Sequence, residues 1–512
     1  MVNLPEKNPE IDKQNETKFR RISFSGMKVL VMGLGLHGGG LESARYMARA
    51  GADITVTDLR DEKTLAPSLE KLRTSGDMKI RYVLGRHEEA DFKKADMVIK
   101  NPGVPPGSPY LALSRRVETD ISLFLAANPA RLSAVTGSKG KSSVASALQW
   151  VLSRARDAGL LSGTAQLGGN ITVSPLTFLD SLSAADDVIL ELSSWQLRDL
   201  RGRFGPDGGA LLKPRAAVLT TIMRDHLDWY PSMADYVDDK RVIYQGQDKR
   251  DVTVIPSCVF GQSFLAETGG RPLVYATVSP SSAVQTHGWV EPGNGPCLVR
   301  FSSGEIIEAV PAKILIPGSH SKTNLLAAAL ALLDMGLSPA FVSENLGAFP
   351  GIEHRIEFFH EAGGVRFYND SAATIPEAAA AAVGAFDAPV ILAAGGADKN
   401  LDFAPLLEAA RKVKALVLLA GSGSGRLVPL LDREGIPYSG PFGTVDAAVR
   451  VVLEKTVPGD TVILSPGCAS FGMFANEFER GRQWKEAVRR LTGRNLPRSW
   501  AEVCGNKLWT RN

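Results

Sequence analysis

Cysteine is scarce. The 512 residues hold four, Cys258, Cys297, Cys468 and Cys504, with neither a pairing pattern nor a metal-like spacing. That argues against a disulfide scaffold or a thiolate metal centre and fits a reducing compartment. Net charge is nearly as scarce: 58 Lys plus Arg face 55 Asp plus Glu, so electrostatics offers no case for a nucleic-acid partner. No apolar run approaches the length of a membrane span, and no membrane partner is expected. Residues 1–26, rich in Lys, Glu, Asn and Arg, lack the apolar stretch of a signal peptide and read as a polar tail. The expectation is a cytoplasmic protein. With 44% apolar and 22% charged residues, the composition is otherwise that of a globular chain, too long for a single core. We read three domains behind the tail, at 27–128, 129–350 and 351–512.

What is present is organised around one stretch. Leu132 to Val144 runs from a short apolar strand through Gly137-Ser-Lys-Gly140 into Lys141, Ser142 and Ser143 and a helical periodicity. Strand, glycine loop and helix in this order turn backbone N–H groups toward a helix N-terminus, where phosphate oxygens can be held. In such a loop Lys141 reaches the β/γ-phosphates and the Ser142 hydroxyl binds Mg²⁺. The general phosphate-loop pattern wants a glycine where Val135 stands, so a plain strand–helix turn with a solvated lysine is the competing reading.

Upstream, Met27 to Met32 reads as a strand entering Gly33-x-Gly35-x-x-Gly38, followed by a helical run at Leu41–Ala50 and a second strand ending at Asp58. This fingerprint does not choose a ligand, because the glycines admit any pyrophosphate and Asp58 any nucleoside hydroxyl. A third strand, Ala95–Lys100, runs into the turn-rich Asn101-Pro-Gly-Val-Pro-Pro-Gly107. Ala126–Arg131 reads as a first linker.

Downstream, Leu167–Ile171 reads as a loop, and Asp187–Leu192 as an apolar strand with one acid inside it, Glu191. A buried carboxylate is costly unless it is paired or binds a metal, and either reading stands. His226 lies just beyond the strand Ala216–Ile222, where a lone histidine is more often structural. Lys240, on a helix at Met233–Tyr244, reads from the residues alone as a solvated lysine. From Asp251 to Leu315 short runs broken by Pro and Gly suggest a β excursion, with strands near Leu298–Phe301 and Ile306–Val310. Gly318-Ser-His320 then opens a long helix carrying Asn324, and Pro350–Ile356 reads as a second linker. Beyond it, strands at Val365–Asp370, Val390–Gly396, Ala415–Gly421 and Thr461–Ser465 alternate with helices, which implies a doubly wound parallel sheet. The fold class is therefore α/β, with a Rossmann-like N-terminal domain, a central phosphate-loop domain with a β excursion, and a doubly wound C-terminal domain.

In combination these motifs become specific. Thr136-Gly-Ser-Lys-Gly-Lys-Ser-Ser143, Gly169-Asn170, Glu191-Leu-Ser-Ser-Trp-Gln-Leu197, Arg224-Asp-His-Leu-Asp228 and Lys240 come first. His320 with Asn324, Glu353-His-Arg355, Asn369-Asp-Ser-Ala-Ala-Thr374 and Ser465-Pro-Gly-Cys-Ala-Ser-Phe471 follow. In this order they resemble the motifs of the Mur ligases, from Met27 to about Gly493. The resemblance implies an ATP-dependent amide ligase of peptidoglycan synthesis that joins D-glutamate to UDP-N-acetylmuramoyl-L-alanine through an acyl phosphate, with ATP and two Mg²⁺ ions. Its domains, in order, would hold the UDP substrate, ATP and the amino acid. A monomer is expected.

The resemblance also assigns residues. Gly137, Ser138, Lys139, Gly140, Lys141, Ser142, Ser143, Asn324, Arg355 and Asp370 would bind ATP. Gly35, Leu36, His37, Asp58, Arg60 and Asn170 would bind the UDP substrate, and Lys399, Ser470 and Phe471 the amino acid. Ser142, Glu191, His226 and Lys240, the last as a carbamate, would hold the metal, and Lys141, Glu191, His226 and Lys240 would serve catalysis. An ammonium facing Mg²⁺ would repel it and a carboxylate binds it, so this assignment reverses the solvated reading of Lys240.

Departures from the motifs are few: Lys139 in place of asparagine, Ser143 in place of threonine, and Phe478 one position from the usual aromatic. Ala372, in place of a lysine, removes a cation near the substrate carboxylates and leaves an L-glutamate-adding variant in play. Three further readings compete: a folylpolyglutamate-type ligase, a non-catalytic nucleotide sensor and a dinucleotide-dependent oxidoreductase. A sensor would lack Glu191 and Lys240, and an oxidoreductase would leave the phosphate loop without a purpose.

Overall fold

A computed structural model of the chain describes residues 24–493, apart from 37, 75, 77, 78, 106, 172, 225–228 and 279–285. It divides into two compact units, one through Ala276 and the other from Gly288 onward, and each is treated by itself.

The first unit opens with five parallel strands, β1 (Lys28–Met32), β2 (Asp53–Asp58), β3 (Ile80–Leu84), β4 (Met97–Lys100) and β5 (Val117–Glu118), in the order β3-β2-β1-β4-β5. The order reverses direction between β1 and β4, so the carboxyl ends of these two strands flank the crevice where open α/β sheets take ligands. Helix Gly39–Arg49 lies against them, burying Leu41, Ala44 and Met47 at helical spacing. It is Gly40, two positions past the last fingerprint glycine, that permits close helix–strand packing. A Cβ there would meet the Gly33 carbonyl at 2.0 Å.

Asn128–Ala130 leads into the second set of parallel strands: β6 (Arg131–Thr136), β7 (Ala165–Gly169), β8 (Asp187–Glu191), β9 (Ala216–Leu219), β10 (Val252–Pro256) and β11 (Arg271–Ala276). Within the unit they run in the order β11-β10-β9-β6-β8-β7. Strands β8, β9 and β10 are buried at every residue, as expected of parallel strands covered on both faces. Two expectations are corrected here. The loop at Leu167–Ile171 is largely the edge strand β7, whose glycines weaken the apolar signal. The β excursion does not begin at Asp251, because β10 and β11 extend the parallel sheet; the short Pro- and Gly-punctuated runs masked two strands and the helix Gly261–Glu267 between them.

The second unit begins with the excursion proper, an antiparallel set of β12 (Gly288–Val290), β13 (Cys297–Arg300) and β14 (Ile306–Val310). Helix Ser319–Asp334 packs beside it. Six strands follow: β15 (Glu357–Ala362), β16 (Val365–Asn369), β17 (Val390–Ala394), β18 (Ala415–Leu419), β19 (Ser439–Phe442) and β20 (Thr461–Leu464). Their order is β15-β16-β20-β17-β18-β19, and every pair is parallel except the β15–β16 hairpin. The doubly wound expectation for this region is met. Among the described residues no helix is long and apolar enough to cross a membrane.

Candidate active site

The phosphate loop joins β6 to helix Lys141–Asp157, and Gly140 at the helix N-cap sits in the left-handed region with φ 92°. Among the described residues no side chain caps this helix, which leaves its first N–H groups for an anion. Gly137 is demanded by space, since a Cβ would lie 1.9 Å from Thr220 Oγ1. Lys141 folds over the loop, its Nζ donating to the carbonyls of Gly137 (3.1 Å) and Ser138 (3.0 Å). Lys240 reaches the same place from helix Met233–Gln245. It is buried, donates to the Gly137 carbonyl at 2.8 Å and stands 4.4 Å from the centre of the Tyr236 ring. The solvated reading of Lys240 is thereby overturned: an apolar helix face and a glycine loop enclose it. The Ser138 side chain meets Met223 and Tyr236, while the Lys139 side chain is exposed.

Glu191 ends β8, next to β6, so strand order alone sets it beside the loop. Asn170 Nδ2 donates to Glu191 Oε1 at 3.0 Å, and the tight turn at Gly169 (φ 100°) brings the two together. The second carboxylate oxygen, Oε2, is buried and has no hydrogen-bond partner among the described residues. Such an orphan needs a cation or a donor to complete it. Hard oxygen donors of this kind, with Ser142 on the first turn of the helix, suit Mg²⁺, which takes one or two carboxylates and completes its shell with water and phosphate. Among the described residues no three His, Cys, Asp or Glu side chains form a metal cluster. His226 lies outside the described residues.

At the first sheet, Asp58 is buried and turned into its own loops. Its Oδ2 accepts the Gly35 N–H at 3.1 Å and its Oδ1 the Arg60 N–H at 2.9 Å. Asp58 thus shapes the turn from which Leu36 and Arg60 project into solvent. Asn101, which sequence reasoning did not single out, packs against Gly33, Gly35 and Gly39 from the carboxyl end of β4. His37 lies outside the described residues.

In the second unit the expected residues gather at the carboxyl ends of the adjacent strands β16, β20 and β17. Asp370 follows β16, Ser470 follows β20 and Lys399 follows β17. A two-way backbone bridge between Ala397 and Ala469 holds the latter two loops together. Lys399 Nζ donates to Thr374 Oγ1 at 3.1 Å, Ser470 is buried, and Phe471 is exposed. Arg355 projects into solvent, and Asn324 lies buried in helix Ser319–Asp334. Asp370 accepts from Ser465 Oγ at 2.6 Å and from the Ile356 N–H at 3.2 Å. Burial pushes its carboxyl up to about 7, against the pull of these hydrogen bonds. A carboxyl raised in the folded state holds its proton there, so stability is fully present below the unfolded value near 3.8 and falls as pH rises toward 7. Asp370→Asn is expected to flatten that decline in the nucleotide-free protein. Thermal melts between pH 4.5 and 7.5 that fall as steeply in the variant as in the parent would contradict it.

Comparison with known proteins agrees with this geometry. A model of the Mur ligase middle domain matches residues 135–332, one of the MurD-like N-terminal domain matches 27–122, and one of the Mur ligase glutamate ligase domain matches 354–468. The UDP-N-acetylmuramoylalanine--D-glutamate ligase of Treponema pallidum is 41% identical, the match covering 92% of this chain and 98% of that protein. The chain belongs to the Mur ligase family. Mur ligases bearing the same name in Roseiflexus sp. and Borreliella afzelii are each 37% identical, with 100% and 97% of their lengths covered. Among solved Mur ligases, MurF of Acinetobacter baumannii aligns with TM-score 0.51 at 13% identity (91% of this chain, 94% of that one). MurC of Thermotoga maritima aligns with TM-score 0.50 at 16% identity (91% and 100%). At these identities the likeness is one of fold.

Proposed function

We propose that the chain is the ligase that joins D-glutamate to UDP-N-acetylmuramoyl-L-alanine in cytoplasmic peptidoglycan precursor synthesis, consuming ATP and releasing ADP and phosphate. The observation that carries this reading is the buried, half-satisfied Glu191 carboxylate beside an uncapped glycine-loop helix, in a chain covering nearly the full length of relatives bearing that name. The domains are 27–128 for the UDP substrate, 129–350 for ATP and 351–512 for the amino acid, and the protein acts as a monomer.

The chemistry asks for a site of this kind. A carboxylate is a poor acylating group; its oxygen takes the γ-phosphoryl as ADP leaves, and the amine nitrogen then attacks the acyl carbon and expels phosphate. Catalysis is mostly positioning and charge neutralisation. The loop N–H groups from Gly140 to Ser143 and the Lys141 ammonium would hold the triphosphate, with Asn324, Arg355 and Asp370 around the nucleotide. Ser142, Glu191, His226 and a carbamylated Lys240 would hold two Mg²⁺ ions, which neutralise phosphate charge when bound. Gly35, Leu36, Asp58 and Arg60 with Asn170 would take the UDP substrate, and Lys399, Ser470 and Phe471 the glutamate. Ala372 favours a second reading, an L-glutamate-adding variant, because a short apolar side chain stands where a cation would meet a substrate carboxylate.

The test is phosphate release from Mg-ATP with UDP-N-acetylmuramoyl-L-alanine and either D-glutamate, L-glutamate or no amino acid. Release that requires both the UDP substrate and D-glutamate, with an amide product by mass, is expected. Preference for L-glutamate would move the protein to the second reading, and release indifferent to the UDP substrate would sink both.

A further inference from the structure

Tyr236 has no part in the ligand contacts proposed for this site, yet it touches both anchors of the phosphate loop. It lies on helix Met233–Gln245 one turn before Lys240, on the same face, and is 1% exposed. Its hydroxyl is 2.9 Å from Ser138 Oγ. Ser138 Oγ is also 3.0 Å from the Met223 carbonyl and 3.0 Å from the Met223 N–H. A carbonyl can only accept and an amide N–H can only donate. The serine hydroxyl therefore gives its proton to Met223 O and accepts from Met223 N, and the arrangement that satisfies all three contacts has Tyr236 donating to Ser138. The side chain of Ser138 is then saturated within the protein, so this loop residue acts as a fastener and leaves phosphate to the backbone N–H groups.

The Tyr236 ring holds the other anchor. Lys240 Nζ lies 4.4 Å from its centre and donates to the carbonyl of Gly137, the loop residue next to Ser138. A loop that turns its N–H groups toward a ligand turns carbonyls the other way, and those carbonyls need donors. One side chain thus braces Ser138 through its hydroxyl and Gly137 through Lys240. Tyr230 meets its ring edge-on at 5.3 Å, fixing the rotamer.

We infer that Tyr236 is a positioning residue for ATP, setting the phosphate loop in its binding shape through Ser138 and Lys240. The inference rests on the ATP reading above, and wild-type turnover separates the two: absence of ATP-dependent release in the parent protein would fail that reading, whereas the variants test this one.

Tyr236→Phe keeps the ring and deletes the hydroxyl; Ser138→Ala deletes its partner. Each is expected to raise KM for ATP about 3- to 10-fold, the value of one hydrogen bond. The kcat should stay within about twofold and KM for the UDP substrate unchanged, while the melting temperature falls by only a few degrees, about the cost of a buried hydrogen bond left unmade. The double variant should be no worse than Ser138→Ala alone, because that variant already removes the interaction deleted by Tyr236→Phe. Tyr236→Leu, which also removes the ring packed on the Lys240 side chain, should lower kcat by about a further 10-fold, the lower end of what losing a group that orients a metal ligand costs. An unchanged KM for ATP in Tyr236→Phe, additive losses in the double variant, or equal rises in KM for all substrates would overturn the assignment. If the leucine variant does not fold, the phenylalanine and alanine pair still decides.

Discussion

Glu191→Gln is expected to lower phosphate release by at least about 100-fold and to raise the Mg²⁺ concentration needed for half-maximal rate, with the fold intact. The substitution is nearly isosteric, so packing is preserved. Asn170 would lose only an acceptor, which the amide oxygen replaces if the new side chain turns its oxygen toward Asn170 Nδ2. What disappears is the charge on the buried oxygen that has no partner among the described residues. Removing a hydrogen-bonding partner of a metal ligand typically costs 10- to 100-fold in affinity or activity, and removing the ligand's own charge costs more. A structural carboxylate would respond in the opposite way: neutralising an unpaired buried charge would raise stability and leave the rate alone. The two readings separate in one pair of measurements, an Mg²⁺ titration of the rate and a thermal melt without metal. A normal rate with a higher melting temperature would remove Glu191 from the site.

How far the site was legible follows from how local each signal is. Loop residues Gly137 to Ser143 are contiguous, and Glu191 announces itself as a charge directly after the apolar Val188-Ile-Leu190 of a wholly buried strand. Strands covered on both faces, such as β6, β8 and β9, read as continuous apolar runs. Edge strands do not. Strand β7 ends in glycines because a Cβ at Gly169 would strike the Glu191 carbonyl at 2.2 Å, and β19 contains Gly440-Pro441. The fastening of Ser138 by Met223 and Tyr236 joins residues 85 and 98 positions apart, and no periodicity marks it. The one available hint was the one-turn spacing of Tyr236 and Lys240. Lys240 itself shows the limit from the other side, since a lysine on a mixed helix carries no mark of burial; only the motif resemblance removed it from solvent before the packing was known.

The same limit hides a buried ionic group beside the second linker, and there the largest stability effect is expected. Lys485 Nζ meets Glu353 Oε1 at 2.7 Å and Glu357 Oε1 at 2.8 Å, with side chains 5%, 15% and 4% exposed. The other Glu357 oxygen accepts from the His354 N–H at 3.1 Å and from Asn369 Nδ2 at 2.9 Å. Burial pushes the Glu357 carboxyl up despite the lysine, and burial holds the His354 ring neutral, lowered to about 4. His354 and Ile356 adopt left-handed backbone, with φ 64° and 45°, a strain the surrounding contacts must hold. Arg355 stands between them, so the ion group fixes the turn that presents a residue proposed for the nucleotide site. Lys485→Met would strand two buried carboxylates and is expected to cost about 3–5 kcal/mol, a fall in melting temperature on the order of 10 °C. The deficit should widen as pH rises from 5 to 8, because a carboxyl raised in the folded state loses its stabilising proton on that path. Lys485→Met with Glu357→Gln should recover part of the loss by removing one of the stranded charges. Should the single variant melt with the parent at pH 8, the network would be solvated and the turn at His354 held by packing against Gly481, where a Cβ would lie 2.1 Å from the imidazole Nδ1.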